Sequence, residues 1–313
     1  MRAPSSLFSR GFEHQEEGMT DEPWEAHRPH LMSVAYHLMG SVTEAEDAVQ
    51  ETFLRLVRTD TSDVRDLKSW LTTVVTRVCL DLLTSARARR EQYVGPWLPE
   101  PIVAAATTPD PADRLTLDES VSIAMLVVLE SLSPAERVVF VLHEAFGFSH
   151  ADIARAVGRQ EAACRQLLAR ARRHVRSRAP RFTPDRAEHQ AVVTAFLRAA
   201  SNGDLDELAG ALDSRVVLRS DGGGNFPAAR RPVIGAYPVA RLLLGAAERR
   251  PAAWGVTAVN GMPGAVFTAG GKVVGVMAFT VLGGRITEID FVVNPEKLRH
   301  LAPGTWPTHP MRA

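Results

Sequence analysis

Cysteine, net charge and long apolar runs are what this chain of 313 residues has least of. Its two cysteines, Cys79 and Cys164, lie far apart within apolar helical patterns, which predicts buried thiols rather than a disulfide. No Cys/His cluster has zinc spacing, so no metal site is expected. Lysine plus arginine balance aspartate plus glutamate at 36 each, so any affinity for a polyanion must come from local clusters. The first residues contain no apolar segment of the secretory kind, and no stretch is long and apolar enough to span a bilayer. A cytoplasmic protein without a membrane partner is expected. No histidine lies between Gln190 and Arg299, and only Asp221 and Asp290 stand out there as acids. A chemical step needs a positioned acid or base, so neither catalysis nor a cofactor is expected.

Charge is present, but concentrated. Between Arg159 and Arg181 there are eight arginines against one acid, Glu161. Just before them, Ser149 with Asp152 three residues on is a helix-opening signal, and Gly158 supplies a break. In the helix that follows, Cys164, Leu168, Ala171 and Val175 recur at i, i+4, i+7 and i+11 and form one apolar stripe. Ala162, Arg165, Gln166, Ala169 and Arg173 fall on the opposite side. Arginine can bridge guanine edges, glutamine can bridge adenine edges, and alanine lets the backbone approach the groove. A DNA-reading helix-turn-helix is therefore expected, in preference to a merely solvated basic helix. Arg165 and Gln166 are the base-contact candidates, flanked by Gln160, Arg170 and Arg173.

The rest of the chain divides by composition. A leader without periodicity, 1–23, is expected to be disordered. From 24 to 91 the pattern is helical. One helix, begun by Thr43 with Glu46, turns Ala45, Ala48, Val49, Phe53 and Leu56 inward and Asp47, Gln50, Glu51 and Arg55 outward. A second, beginning near Lys68, faces Leu71, Val74, Val75, Val78 and Leu82 to the core and ends in arginines. The stretch 92–118 is proline-rich, with an island Trp97-Leu98-Pro99-Glu100-Pro101. Helices resume at Glu119 and extend over 119–180. Within them, Ser133-Pro134-Ala135-Glu136 is a complete helix start. Strand-like runs dominate 185–293, with Gly270-Gly271 and Gly283-Gly284 as hairpin turns. An α+β domain with a curved antiparallel sheet is expected there, followed by an extended tail, 294–313.

The order of these pieces resembles the extracytoplasmic-function (ECF) sigma factors of bacterial RNA polymerase over 24 to about 178. AYHLMGSVTEAEDAVQETFLRL and KSWLTTVVTRVCLDLLTSARARR resemble sigma region 2, and SLSPAERVVFVLHEAFGFSHADIARAVG resembles region 4. The resemblance implies two all-α domains. It implies core RNA polymerase as partner, through the β′ clamp and the β flap, and promoter DNA. Asp47, Gln50 and Glu51 would face the polymerase, where an acid and amide row can pair with arginines. Region 2 would open the −10 element, with a flipped base held by the loop 59–66 and with Arg77 and Arg87 on phosphates or bases nearby. Region 4 would read the −35 element. Two positions depart from the usual pattern: Gln160 stands where Ser or Pro often begins the helix, and Leu167 where Arg is frequent.

The segment beyond the helix-turn-helix resembles a SnoaL-like cone-shaped α+β barrel, as in a subgroup of the family with a fused regulatory domain. Three short motifs carry that likeness. They are Trp97 to Pro101, then Asp221-Gly222-Gly223-Gly224-Asn225 with Asn225 in place of a lysine, then Asn294-Pro295-Glu296-Lys297-Leu298. In that subgroup the extra domain modulates activity in cis. The glycines permit close backbone approach, and Trp97 offers an anchor in a stiff segment. Docking of Trp97 and Pro99 against Asp221 to Gly224 and Asn294, Pro295 and Lys297 is expected to fix the spacing of the two DNA-reading domains. The alternative is a DNA-binding regulator whose barrel holds a small hydrophobic ligand.

Overall fold

Residues 21–104, 121–178, 185–301 and 309–310 are described by a computed structural model of the protein. Three helices form the first layer: α1 (Asp21–Met39), α2 (Val42–Val57) and α3 (Leu67–Glu91). Four more follow: α4 (Ile123–Glu130), α5 (Pro134–Glu144), α6 (His150–Val157) and α7 (Glu161–Arg178). Their starts follow local chemistry. Ser133 and Glu136 form the reciprocal cap of α5, and Ser149 accepts from the Asp152 amide at the start of α6. Gly158 closes α6 in the left-handed conformation, φ 64°, which a residue without a Cβ adopts at no steric cost.

Three details differ from the sequence expectation. The cap of α2 is Ser41 rather than Thr43, its hydroxyl accepting from the Glu44 amide. The buried face of α3 is Leu71, Val75, Val78, Cys79 and Leu83, with Val74 and Leu82 half-buried. The phase moves because α3 is packed by α1, α2, α5 and α6, so its buried arc is wider than one stripe. In α7, Leu167 joins Cys164, Leu168, Ala171 and Val175 in the core.

The C-terminal part contains α8 (Arg186–Asn202), α9 (Leu205–Gly210), β1 (Leu212–Asp221), β2 (Val233–Ile234) and α10 (Ala236–Arg249). Next come β3 (Ala253–Val259), β4 (Met262–Ala269), β5 (Lys272–Leu282), β6 (Arg285–Val292) and β7 (His309–Pro310). The strands lie in the order β2-β1-β6-β5-β4-β3-β7. The sheet is not wholly antiparallel: β1 pairs with β6 in parallel, Arg219 opposite Asp290. Parallel neighbours need a long crossover, and α10 with the β3–β5 meander supplies it. The tail opens as a 3-10 turn, Pro295–Leu298, rather than as an extended strand.

The period of two along these strands gives the sheet two apolar faces. Phe267, Met277 and Phe291 point inward, toward α8 and α10. Their neighbours Val266, Val276 and Val292 point outward and merge with the core of the helical layers, through Leu98 and Leu298. One hydrophobic core thus runs from α1 through the outer sheet face.

Candidate functional site

The outward face of α2 carries Asp47 and Gln50 exposed and Glu51 half-exposed, Glu51 pairing with Arg55 one turn on at 2.9 Å. Asp47 and Gln50, with Trp24, Arg28, Glu46 and Phe53, line a cleft of about 590 Å³ between α1 and α2. Trp24 and Phe53 form its floor, their ring centroids 5.0 Å apart. An aromatic floor rimmed by carboxylates suits a basic partner helix.

Arg165, Gln166, Arg170 and Arg173 on α7 are all exposed on the side away from the buried stripe, and Gln160, just ahead of the helix, is exposed as well. Arg165 is tied to Glu161 at 3.2 Å, an exposed one-turn pair of little energetic weight. Arg170 donates to Glu136 at 3.0 Å. Burial works against ionisation of Glu136, but the Ser133 hydroxyl and amide together with Arg170 outweigh it and hold its carboxyl below the usual range.

Arg77 is placed differently from expectation. It stands ten residues into α3, about 15 Å along the helix from the loop 59–66. Its Nε donates to the Ala156 carbonyl at 3.0 Å and its Nη2 to the Arg155 carbonyl at 2.8 Å. These are terminal carbonyls of α6, which a cation favours. The side chain of Arg87 lies outside the described residues. The loop itself is mostly exposed, ordered by Asp60, which accepts from the Ser62 amide at 2.9 Å, and by Asp66, which accepts from the Ser69 amide at 3.1 Å.

The densest polar site lies between the layers. Asp221, at the end of β1, is 1% exposed. Its Oδ2 accepts from the Leu98 amide at 2.9 Å and from Lys297 Nζ at 2.8 Å. Its Oδ1 accepts from the Tyr93 hydroxyl and from the Gly223 amide, the latter at 3.0 Å. Lys297 also donates to the Leu98 carbonyl. Burial pulls the Lys297 ammonium below its ordinary range, against the opposing pull of Asp221. Burial and the bond to Asp221 push the Tyr93 phenol well up. Asn294 donates to the Tyr93 oxygen at 3.0 Å while its Oδ1 accepts from the Glu296 amide at 3.0 Å, opening the 3-10 turn that begins at exposed Pro295.

Two cations approach the Trp97 ring, Arg90 at 3.7 Å and Lys297 at 3.9 Å from its centroid. Arg90 in turn pairs with Glu44 at 3.0 Å and with Glu130, and Glu130 pairs with buried Arg137. Trp97 therefore joins the end of α3, through Arg90 the end of α4, and the C-terminal domain. The glycines are used for approach. A Cβ on Gly223, φ 67°, would stand 2.7 Å from the Asn294 amide nitrogen, and one on Gly224 3.2 Å from Val94. A Cβ on Gly222 would collide with the Phe226 carbonyl at 2.4 Å.

Several participants were not singled out from the sequence. Glu100, within the proline-rich island, takes the Ser41 hydroxyl at 2.8 Å and the Val42 and Thr43 amides at 2.8 and 3.1 Å, so it caps α2 from 58 residues away. Pro99, which the sequence did single out but against the barrel, is instead buried beside Glu100 and packs over Gly40. Asn260, in a left-handed turn at φ 48°, donates to the Tyr36 hydroxyl at 2.7 Å and to the Val121 carbonyl at 3.0 Å, and accepts from the Ile102 amide at 2.9 Å. Val103 bridges to Val259, extending the strip along β3. The long-range partners of Asn260 carry no local pattern in the sequence.

Asp290 and Asp221 both project from the outer sheet face. Asp290 pairs with Arg219 at 3.0 Å, and burial raises its carboxyl to about 6 against that pairing. Among the described residues no group of three His, Cys, Asp or Glu is placed to hold a metal ion, and no helix is long and apolar enough to cross a membrane.

Comparison with known proteins matches the Sigma-70 region 2 family over residues 24–89 and the Sigma-70 region 4 family over 122–175. The chain is similar to the probable ECF RNA polymerase sigma factor SigI of Mycobacterium tuberculosis, 39% identical over 88% of this chain and 93% of that protein. It is also similar to ECF RNA polymerase sigma factor SigJ of Mycobacterium tuberculosis, 42% identical over 88% of this chain and 91% of that protein. The crystal structure of SigJ superposes with a TM-score of 0.72 at 37% identity, covering 91% of this chain and 99% of that chain.

Proposed function

The chain belongs to the ECF sigma factors of RNA polymerase, and from that premise we propose that its C-terminal barrel governs promoter recognition by setting the spacing of the two helical DNA-reading domains. Sigma factors bind core RNA polymerase and promoter DNA, and the family is not a class of enzymes. In this chain the α2 row of Asp47, Gln50 and Glu51 meets the β′ clamp, and region 4 meets the β flap. Region 2 reads and melts the −10 element, with a flipped base taken by the loop 59–66. Arg165 and Gln166 read the −35 element from the major groove, while Gln160, Arg170 and Arg173 meet phosphates. The protein works in the cytoplasm, where the polymerase is.

The observation that carries the reading is the strip from Tyr93 to Ala104. It is bonded at Glu100 to the start of α2, and at Leu98 and Ile102 to Asp221, Lys297 and Asn260 of the barrel. Asn260 also donates to the Val121 carbonyl ahead of α4, so the barrel holds the strip beside region 2 and the start of region 4 together. Arg77 supports the same conclusion, because a side chain suited to phosphate is engaged on α6.

Run-off transcription with purified core polymerase tests this, using the promoter of the chain's own gene. Full-length protein, truncations after Pro180 and after Pro295, and Trp97→Ala are compared. The sigma role requires initiation that depends on added protein. Cis control requires that the truncations and Trp97→Ala change the yield while circular dichroism shows the helical domains folded. An identical yield from all four proteins would refute control by the barrel.

A further inference from the structure

The inner face of the sheet encloses a space that neither promoter recognition nor the polar seam of Tyr93, Leu98, Asp221 and Lys297 between barrel and linker strip uses. It is a cavity of about 410 Å³ between the sheet, α8 and α10. That is within the usual range of small-molecule sites, roughly 300–1,000 Å³. Its walls are Trp254, Phe267, Met277 and Phe291 from the strands, and Phe196 and Leu243 from the helices. Small residues keep it open: Ala200, Ala246 and Ala247 from the two helices, and Ala269 from the end of β4.

The lining includes one ionised side chain, Arg250, which stands at the mouth with exposed Pro227 and Pro251. Among the described residues Arg250 meets no carboxylate, and its guanidinium lies over the Phe226 ring at 4.2 Å. A planar cation beside the entrance to an apolar space is complementary to a carboxylate on an apolar body.

The cavity also shares walls with the seam. Phe226 and Pro227 separate it from a depression of about 250 Å³ that Val94 and Gly95 of the linker line on the other side. Val293 lines the cavity, and the next residue is Asn294, bonded to Tyr93. A molecule in the cavity would therefore press on both loops that hold the linker.

We propose that this cavity binds a small amphiphile with an apolar body and a single carboxylate, the acid group at Arg250, and that its occupancy is transmitted through Phe226 and Val293 to the linker seam. The binding half stands independently of the sigma role; the transmission half rests on the seam reading given above.

The test uses full-length protein and two probes with the same ten-carbon tail, decanoate and decanol, titrated by calorimetry. Decanoate is expected to bind about fivefold more tightly, the discrimination a partly exposed Arg–carboxylate contact supports. Arg250→Gln should erase that preference while leaving decanol binding intact. Ala247→Phe and Ala200→Phe, each filling the cavity from a different helix, should remove binding of both probes, and either suffices if the other does not fold. No binding of either probe, an undiminished preference in Arg250→Gln, or undiminished binding in the filled variants overturns the site. Hydrogen exchange with decanoate bound should slow at 222–226 and 93–98. Unchanged exchange there, with decanoate bound, overturns the transmission. Neither readout requires polymerase, so a failed run-off assay and a failed ligand site are told apart.

Discussion

At the scale of single residues, the seam is governed by burial of charge. Asp221 and Lys297 are 1% and 6% exposed, so each depends on the other for compensation. Removing one partner of such a pair leaves a buried charge unanswered, typically at a cost of about 3–5 kcal/mol. Asp221→Ala is expected to lower stability by roughly 3 kcal/mol, read as a shift in the denaturant midpoint. Asp290 makes the opposite kind of prediction. Its carboxyl is raised to about 6 in the folded protein by burial, against about 4 when unfolded. Between those values the folded state holds a proton that the unfolded state has lost, so this group adds stability as pH falls from above 6 toward 4. Asp290→Asn should flatten that rise, by roughly 2–3 kcal/mol across the window, when unfolding is compared at pH 7 and pH 4.5. An equal pH dependence in both proteins would remove the assigned role of burial.

At the scale of elements, what the sequence revealed was local. Ser133 with Glu136 and Ser149 with Asp152 are separated by three residues, and a cap needs nothing more distant. The strands between Arg215 and Val293 were legible by their period and by Gly270-Gly271 and Gly283-Gly284. The apolar phase of α3 was not, because Leu83 rather than Leu82 is buried by neighbours from several directions. The parallel pairing of β1 with β6 was also hidden, since period two is the same in either direction. The motif residues around Trp97, Asp221 and Lys297 could be singled out, yet Glu100 capping α2 and Arg77 capping α6 could not. Both caps act across long sequence separation and leave no spacing signature. Arg77→Ala should loosen α6 against α3 by about 1 kcal/mol, since the side chain is exposed and its bonds are partly replaced by water. Faster amide exchange in His150–Val157, with α3 unchanged, would register it; unaltered exchange would show that the contact is energetically idle.

At the scale of the whole molecule, the outer sheet face has no boundary with the helical core. Val259, Val266, Val276 and Val292 continue it, and Leu98 fills the middle. A chain of this length would ordinarily be expected to unfold domain by domain. The shared core predicts instead that the helical layers and the outer sheet unfold together. Thermal transitions followed by far-ultraviolet circular dichroism and by tryptophan fluorescence should coincide, and two separated midpoints would contradict a continuous core.

The strip from Tyr93 to Ala104 has one more consequence, for dosage. A regulator supplied as a separate protein holds its target only in proportion to its abundance and affinity. On the reading proposed above, the controller is translated with its target and reaches it through a tether, at a local concentration on the order of millimolar for short linkers. The ratio of the two is therefore fixed at one in every cell, however strongly the gene is expressed. Making more of the protein multiplies restrained and released molecules alike, so expression level sets the amplitude of the response and leaves its threshold where the seam puts it.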